Sequence, residues 1–158
     1  MNFRGDINRR NIKFFKEFLG LTKNDFFDKM RKIGRPKGFG KDKWSNENPT
    51  AGRCGSVVNA IRLSGKIPED YKACWQKDNE GTHYYMINEE NGEVIDPTCY
   101  QMVEDYIYEN HKKSFLPQIG RNVIDVIHIL ELKIDENKFL VRKDSRGVKL
   151  VSETKGSV

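Results

Sequence analysis

Residues 54 to 96 constrain the fold more than any other stretch, because a short apolar helical run there is followed at once by three strand-like runs. The helical run is CGSVVNAIRLSG, with Val57, Val58, Ile61 and Leu63 on one side and Gly65 as its stop. Alternation predicts strands over Tyr71–Gln76, Thr82–Asn88 and Glu93–Ile95, parted by the turn sequences DNEG and EENG. Strands joined by such tight turns pair antiparallel. One face of the meander then needs a cover, and the preceding helix supplies it, so the expected class is α+β.

The flanks fit the same class. Ile7, Phe14, Phe15 and Phe18 form an apolar stripe over residues 6–19, closed by Gly20. Thr22 and Asp25 read as a capping box opening a second helix, whose Phe26, Phe27, Met30 and Ile33 recur at helical spacing until Gly34 and Pro36. GRPKGFGKDK, residues 34–43, reads as a basic loop. Further on, Met102, Val103, Tyr106 and Ile107 suggest a helix over residues 99–113. Val123–Ile134 and Lys138–Arg142 suggest a hairpin through DEN, and the tail from Ser152 is expected to be loose.

A chain of 158 residues fits one domain. Within it we expect a basic helical segment at 1–43, an α+β core at 44–151 and a tail at 152–158. No apolar run reaches the ~20 residues of a membrane span, and MNFRGDINRR lacks the apolar stretch of a secretion signal, so a cytoplasmic protein is expected. The three cysteines, Cys54, Cys74 and Cys99, show no CxxC spacing; neither a disulfide framework nor a metal site is indicated, and no cofactor is expected.

The net charge of +5 is uneven: residues 1–43 hold 13 Lys/Arg against 5 Asp/Glu, a local +8, while the remainder is −3. Such a segment is either a solvated helical face or a steering surface for an acidic partner. No aromatic-interleaved or Cys/His motif points to nucleic acid.

Chemistry gathers around Cys54. A cysteine attacks as its thiolate, and the unpaired N–H groups and dipole of a helix start favour negative charge there. Pro49 and Gly52 suit the turn that delivers it. The thiolate needs a base, and His83 opens the strand HYYMI. If the strands pair through EENG, Asp96 becomes a near cross-strand neighbour of His83, able to hold its tautomer. The other histidines, His111 in ENHKK and His128 in VIDVIHIL, lack such company, and Cys74 and Cys99 read as buried hydrophobes.

These blocks carry a resemblance. WSNENPTAGRC, Trp44 to Cys54, and THYYMINEENGEVID, Thr82 to Asp96, resemble the papain-like and transglutaminase-like cysteine hydrolase superfamily. They are closest to the small YunG-like family of bacteria and phages, with its WSxxNPxxGQC and SHYW...DGxxID patterns. The likeness covers about residues 44–101 and departs at Arg53, commonly Gln there, and Tyr85, commonly Trp.

It implies a nucleophile-bearing helix packed on an antiparallel sheet and a Cys54–His83–Asp96 triad acting through a thioester. Asn48, six residues before the nucleophile, becomes a candidate oxyanion donor or else a turn residue. Trp44, Gly52, Arg53 and Tyr84 are candidates to line the substrate cleft. The expected partner is a protein or peptide substrate, acidic if the basic segment recruits it. The competing expectation is a non-catalytic phage or mobile-element protein docking on a host partner through residues 1–43.

Overall fold

The computed structural model describes residues 2–38, 41–79, 81–102, 106–115, 118–143, 145–147 and 149–153. It is an α+β protein: among the described residues four α-helices pack with an antiparallel sheet, and a second, three-stranded sheet accompanies it.

Helix α1 (Arg4–Phe14) continues into a π-helical turn at Phe15–Leu19 and stops at Gly20, whose φ of 66° is a left-handed conformation that glycine adopts without strain. Helix α2 (Lys23–Ile33) begins with the expected box: the Thr22 hydroxyl accepts from the Asp25 N–H, and the Asp25 carboxylate accepts from the Thr22 N–H. Phe14, Phe15, Phe26 and Met30 from this pair enter the main core, and the Phe15 and Phe26 rings stack at 4.6 Å. Fully burying such a side chain contributes about 1.5–3 kcal/mol. The N-terminal segment is therefore built into the core of the same body as the rest.

Helix α3 (Cys54–Leu63) buries Val57, Val58, Ile61 and Leu63 against the first sheet. That sheet has the order β3-β2-β1-β4, with β1 Tyr71–Asp78, β2 Gly81–Asn88, β3 Val94–Ile95 and β4 Lys112–Lys113. Gln76 pairs with His83 and Cys74 with Tyr85 across β1 and β2, while Met86 faces Ile95 across β2 and β3. Alternation divides the sheet's residues. Ala73, Met86 and Ile95 join the core under α3, whereas Cys74, Tyr85, Ile87 and Val94 form a smaller cluster with Ile7 of α1 and Cys99.

Three expectations are corrected. Residues 123–134 do not form a strand: helix α4 spans Arg121–Ile129, burying Val123, Val126, Ile127 and Leu130 at helical spacing, with His128 exposed. The strand of the expected hairpin, β6 (Phe139–Lys143), pairs instead with β7 (Lys149–Glu153), which takes in Ser152 and Glu153 from the expected loose tail. The second sheet is completed by β5 (Gln118–Ile119) on the other side of β7.

Nor do residues 99–113 form a long helix. A short 3-10 turn at Cys99–Gln101 gives way to an extended strap at 106–109 and then β4; Val103 of that prediction lies outside the described residues. Residues 154–158 of the expected tail also lie outside them. No helix among the described residues is long and apolar enough to cross a membrane.

Candidate active site

The turn Thr50–Arg53 delivers Cys54 to the first position of α3. Gly52 has a φ of 74°, and its N–H donates to the Gln101 Oε1 at 3.0 Å, fixing the approach. Cys54 is partly exposed, and its Sγ contacts the Thr82 carbonyl oxygen at 3.8 Å, beside the start of β2. The next helical residue, Gly55, lies against the Tyr84 ring, where an added Cβ would stand 3.2 Å from the nearest ring carbon. Sulfur, helix start and strand end thus meet at one wall of a cleft of about 1060 Å³, which Cys54, Gly55, Thr82, His83 and Tyr84 help to line.

His83 is buried. Its Nε2 lies 2.6 Å from the Asp96 Oδ2, and Cys54 stands near enough to act on the charge of the ring, whose other nitrogen is Nδ1. Burial by itself would push the His83 pKa down. The Asp96 charge and hydrogen bond, with a smaller contribution from Cys54, outweigh it and raise the group from 6.5 to about 10. The ring is enclosed by Tyr85, stacked at 5.9 Å, and by Tyr106, edge-on at 5.4 Å.

Asp96 is wholly buried, and its position is set from two directions. Asn11 of α1 donates from Nδ2 to the Asp96 carbonyl oxygen at 2.7 Å and accepts from the Asp96 N–H at 2.9 Å. Tyr108 of the strap donates its hydroxyl to Oδ2 at 2.6 Å, the same oxygen that meets His83. Oδ1 is buried with no hydrogen-bond partner among the described residues. Further along α1, Arg4 donates to the Cys99 and Met102 carbonyl oxygens and Arg10 to that of Val94.

Of the residues expected at the site, Cys54, His83 and Asp96 are brought together, and Gly52 and Tyr84 line the cleft. Three others lie elsewhere. Asn48 donates from its side chain to the Lys43 carbonyl oxygen at 3.4 Å and takes the turn role; the amides that line the cleft belong to Asn59, Gln101 and Asn122. Trp44 donates to the Pro49 carbonyl oxygen at 3.0 Å and packs its own loop. Arg53 is 1% exposed, donating from Nη2 to the Gly34 carbonyl oxygen at 2.8 Å, and burial lowers its pKa.

Cys74 and Cys99 are buried, with thiols pushed up to about 12, and so stay inert. Among the described residues no group of three or more His, Cys, Asp or Glu is disposed to hold a metal ion.

Asn11, Gln101 and Tyr108 were not anticipated. Asn11 leaves a signal, since Ile7, Asn11 and Phe14 lie at i, i+4 and i+7, which places a polar residue on the buried stripe of a helix. Tyr106 and Tyr108 alternate at a period of two, the mark of an extended run. Gln101 leaves none. Compared with known protein families, curated proteins and solved structures, the chain matches none.

Proposed function

We propose that the protein is a cysteine-dependent amide-bond hydrolase or acyltransferase of the papain-like and transglutaminase-like kind, using Cys54, His83 and Asp96. The observation that carries the reading is the placement of buried His83 between the Asp96 Oδ2 at 2.6 Å and a cleft-lining cysteine at a helix start. Two neutral-pH roles follow for the imidazolium: it holds the thiolate as an ion pair, and it carries the proton a leaving amine requires.

The Cys54 thiolate adds to an amide carbonyl carbon, and the C=O electron pair moves onto oxygen. The Cys54 backbone N–H, at the first position of α3, is a donor suited to that oxyanion. Collapse breaks the C–N bond as His83 gives its proton to the departing amine, leaving a thioester and neutral imidazole. Water or a second amine then attacks the thioester while His83 takes its proton, and thiolate and imidazolium are restored with release of an acid or a new amide. Asp96 orients the ring and stabilises its charge.

Among the described residues the cleft mixes Lys37, Lys43 and Arg121 with Asp42 and Asp78, so charge at the cleft does not select a strongly acidic substrate. The rival reading as a binding module rested on the basic segment. Arg4 and Arg10 of that segment bind interior carbonyl oxygens, which favours the enzyme reading.

The test is the reaction of Cys54 with iodoacetamide across pH, followed by mass spectrometry of the labelled site. Fast labelling near neutral pH that His83→Gln slows at least tenfold supports the proposal. Labelling no faster than a free thiol, and indifferent to His83→Gln, refutes it.

A further inference from the structure

The strap at residues 106–109 is tied to Gln76 of β1, which donates to the Ile107 carbonyl oxygen and accepts from the Glu109 N–H, and its Tyr108 reaches the carboxylate oxygen that also serves His83. We infer that Tyr108 is a positioning residue of this site, sharing the Asp96 Oδ2 with His83 and thereby limiting how tightly the imidazolium proton is held. This inference rests on the catalytic reading above.

The geometry gives the effect a sign. A carboxylate accepting two short hydrogen bonds at one oxygen divides its negative charge between them. When His83 loses its proton, Asp96 keeps a full charge that the Tyr108 hydroxyl continues to stabilise. That stabilisation is greater than when an imidazolium already neutralises the carboxylate. The hydroxyl therefore favours release of the proton, and without it His83 holds the proton more strongly. Because Oδ1 has no hydrogen-bond partner, nothing else among the described residues hydrogen-bonds the carboxylate in its place.

The surrounding groups do not obscure this balance. Burial raises the phenols of Tyr85, Tyr100, Tyr106 and Tyr108, and pushes the thiols of Cys74 and Cys99 up to about 12, so all stay neutral while His83 titrates. Among the described residues, the titratable and charged groups facing the pair from neighbouring elements are Cys54 of α3, Arg4 of α1, acting on Tyr108, and Asp78 at the end of β1, beside Tyr106.

Tyr108→Phe isolates the hydroxyl, since the ring that packs edge-on against Tyr85 and Tyr106, at 5.0 Å from each, is kept. NMR titration of the His83 imidazole would compare Cys54→Ala with the double variant Cys54→Ala/Tyr108→Phe, which removes coupling to the thiol. The expected result is an upward shift of about one pH unit on loss of the hydroxyl. In the Cys54-containing protein, Tyr108→Phe would also extend to higher pH the range over which iodoacetate reacts faster, relative to iodoacetamide, than with a free thiol. That preference depends on a neighbouring cation.

Tyr108→Leu, which removes ring and hydroxyl together, separates packing from tuning: a purely structural role predicts lost stability in this variant and an unshifted His83 in Tyr108→Phe. An unshifted or lowered titration in folded Tyr108→Phe overturns the inference. If instead parental Cys54 labelling ignores His83→Gln, it is the catalytic reading that fails, whatever the titration shows.

Discussion

Asn11 and Asp96 exchange two hydrogen bonds across 85 residues of sequence, side-chain amide to carbonyl oxygen and backbone N–H to amide oxygen. Both residues are fully buried. A planar amide satisfying one N–H and one C=O of the same residue fixes the orientation of that residue's backbone, and with it the direction in which the carboxylate points.

Replacing Asn11 by Ala leaves those two buried groups without partners and should cost about 2–4 kcal/mol of stability. Urea unfolding measures the cost. At a temperature where the variant remains folded, its Cys54 labelling should also be slower than the parent's, because Asp96 is no longer held toward His83. Full retention of both properties would show that Asn11 contributes packing alone.

The three site residues should fail in different ways. Cys54→Ala should abolish acyl transfer, since no other thiol lines the cleft. Asp96→Asn keeps the shape but offers His83 the wrong hydrogen-bonding partner, so a loss on the order of a thousandfold is expected rather than none or all. Thioester accumulation, read by mass spectrometry after acid quench with an activated acyl donor, distinguishes the variants.

Stability should decline on the alkaline side. The His83 pKa is raised in the fold from 6.5 to about 10, so the ion pair with Asp96 contributes fully below about pH 6.5, and its contribution is lost as pH rises through about 10. Urea unfolding of the parent should lose on the order of 5 kcal/mol over that window beyond what Asp96→Asn loses. Parallel curves for the two proteins would mean that the pair does not titrate as a unit.

Gly55 is tested by the smallest possible change. In Gly55→Ala the new Cβ would sit 3.2 Å from a Tyr84 ring carbon, so the ring must give by a few tenths of an ångström. Alanine gains about 1 kcal/mol of helix propensity, which offsets the crowding. Thermal stability should therefore stay near the parent's while Cys54 labelling falls several-fold, because the displaced ring forms the cleft wall beside the sulfur.

The hairpins and the Cys54 helix were readable because each carries a local signature: tight-turn sequences parting alternating runs, and a stop at Gly65. The pairing of His83 with Asp96 followed from register, since Met86 opposite Ile95 sets Asp96 diagonally across from His83 on one face. Helix α4 was misread because β-branched residues crowd VIDVIHIL, yet Val123, Val126, Ile127 and Leu130 fall at helical spacing, and packing on α2 and α3 overrides propensity. Residues 99–113 misled in the opposite way: a few apolar residues at helical intervals concealed the two-residue alternation of Tyr106 and Tyr108. Trp44, Arg53 and Asn48 are near Cys54 in sequence, yet their side chains bond to the Pro49, Gly34 and Lys43 carbonyl oxygens instead of lining the cleft, which adjacency along a chain does not reveal.

The supports of Asp96 come from far apart in the chain, Asn11 on α1 and Tyr108 on the strap, and this bears on when the protein becomes reactive. Contacts spanning such distances form late in folding, after local helices and hairpins, because loop closure must be achieved before they are rewarded. A partly folded chain would hold Cys54 on a formed α3 while Asp96 is still unaligned. Recovery of thiol reactivity on refolding should then track docking of α1 rather than the regain of helical signal. On the proposed mechanism, a nascent chain would gain the reactivity of its Cys54 thiol only once α1 has docked.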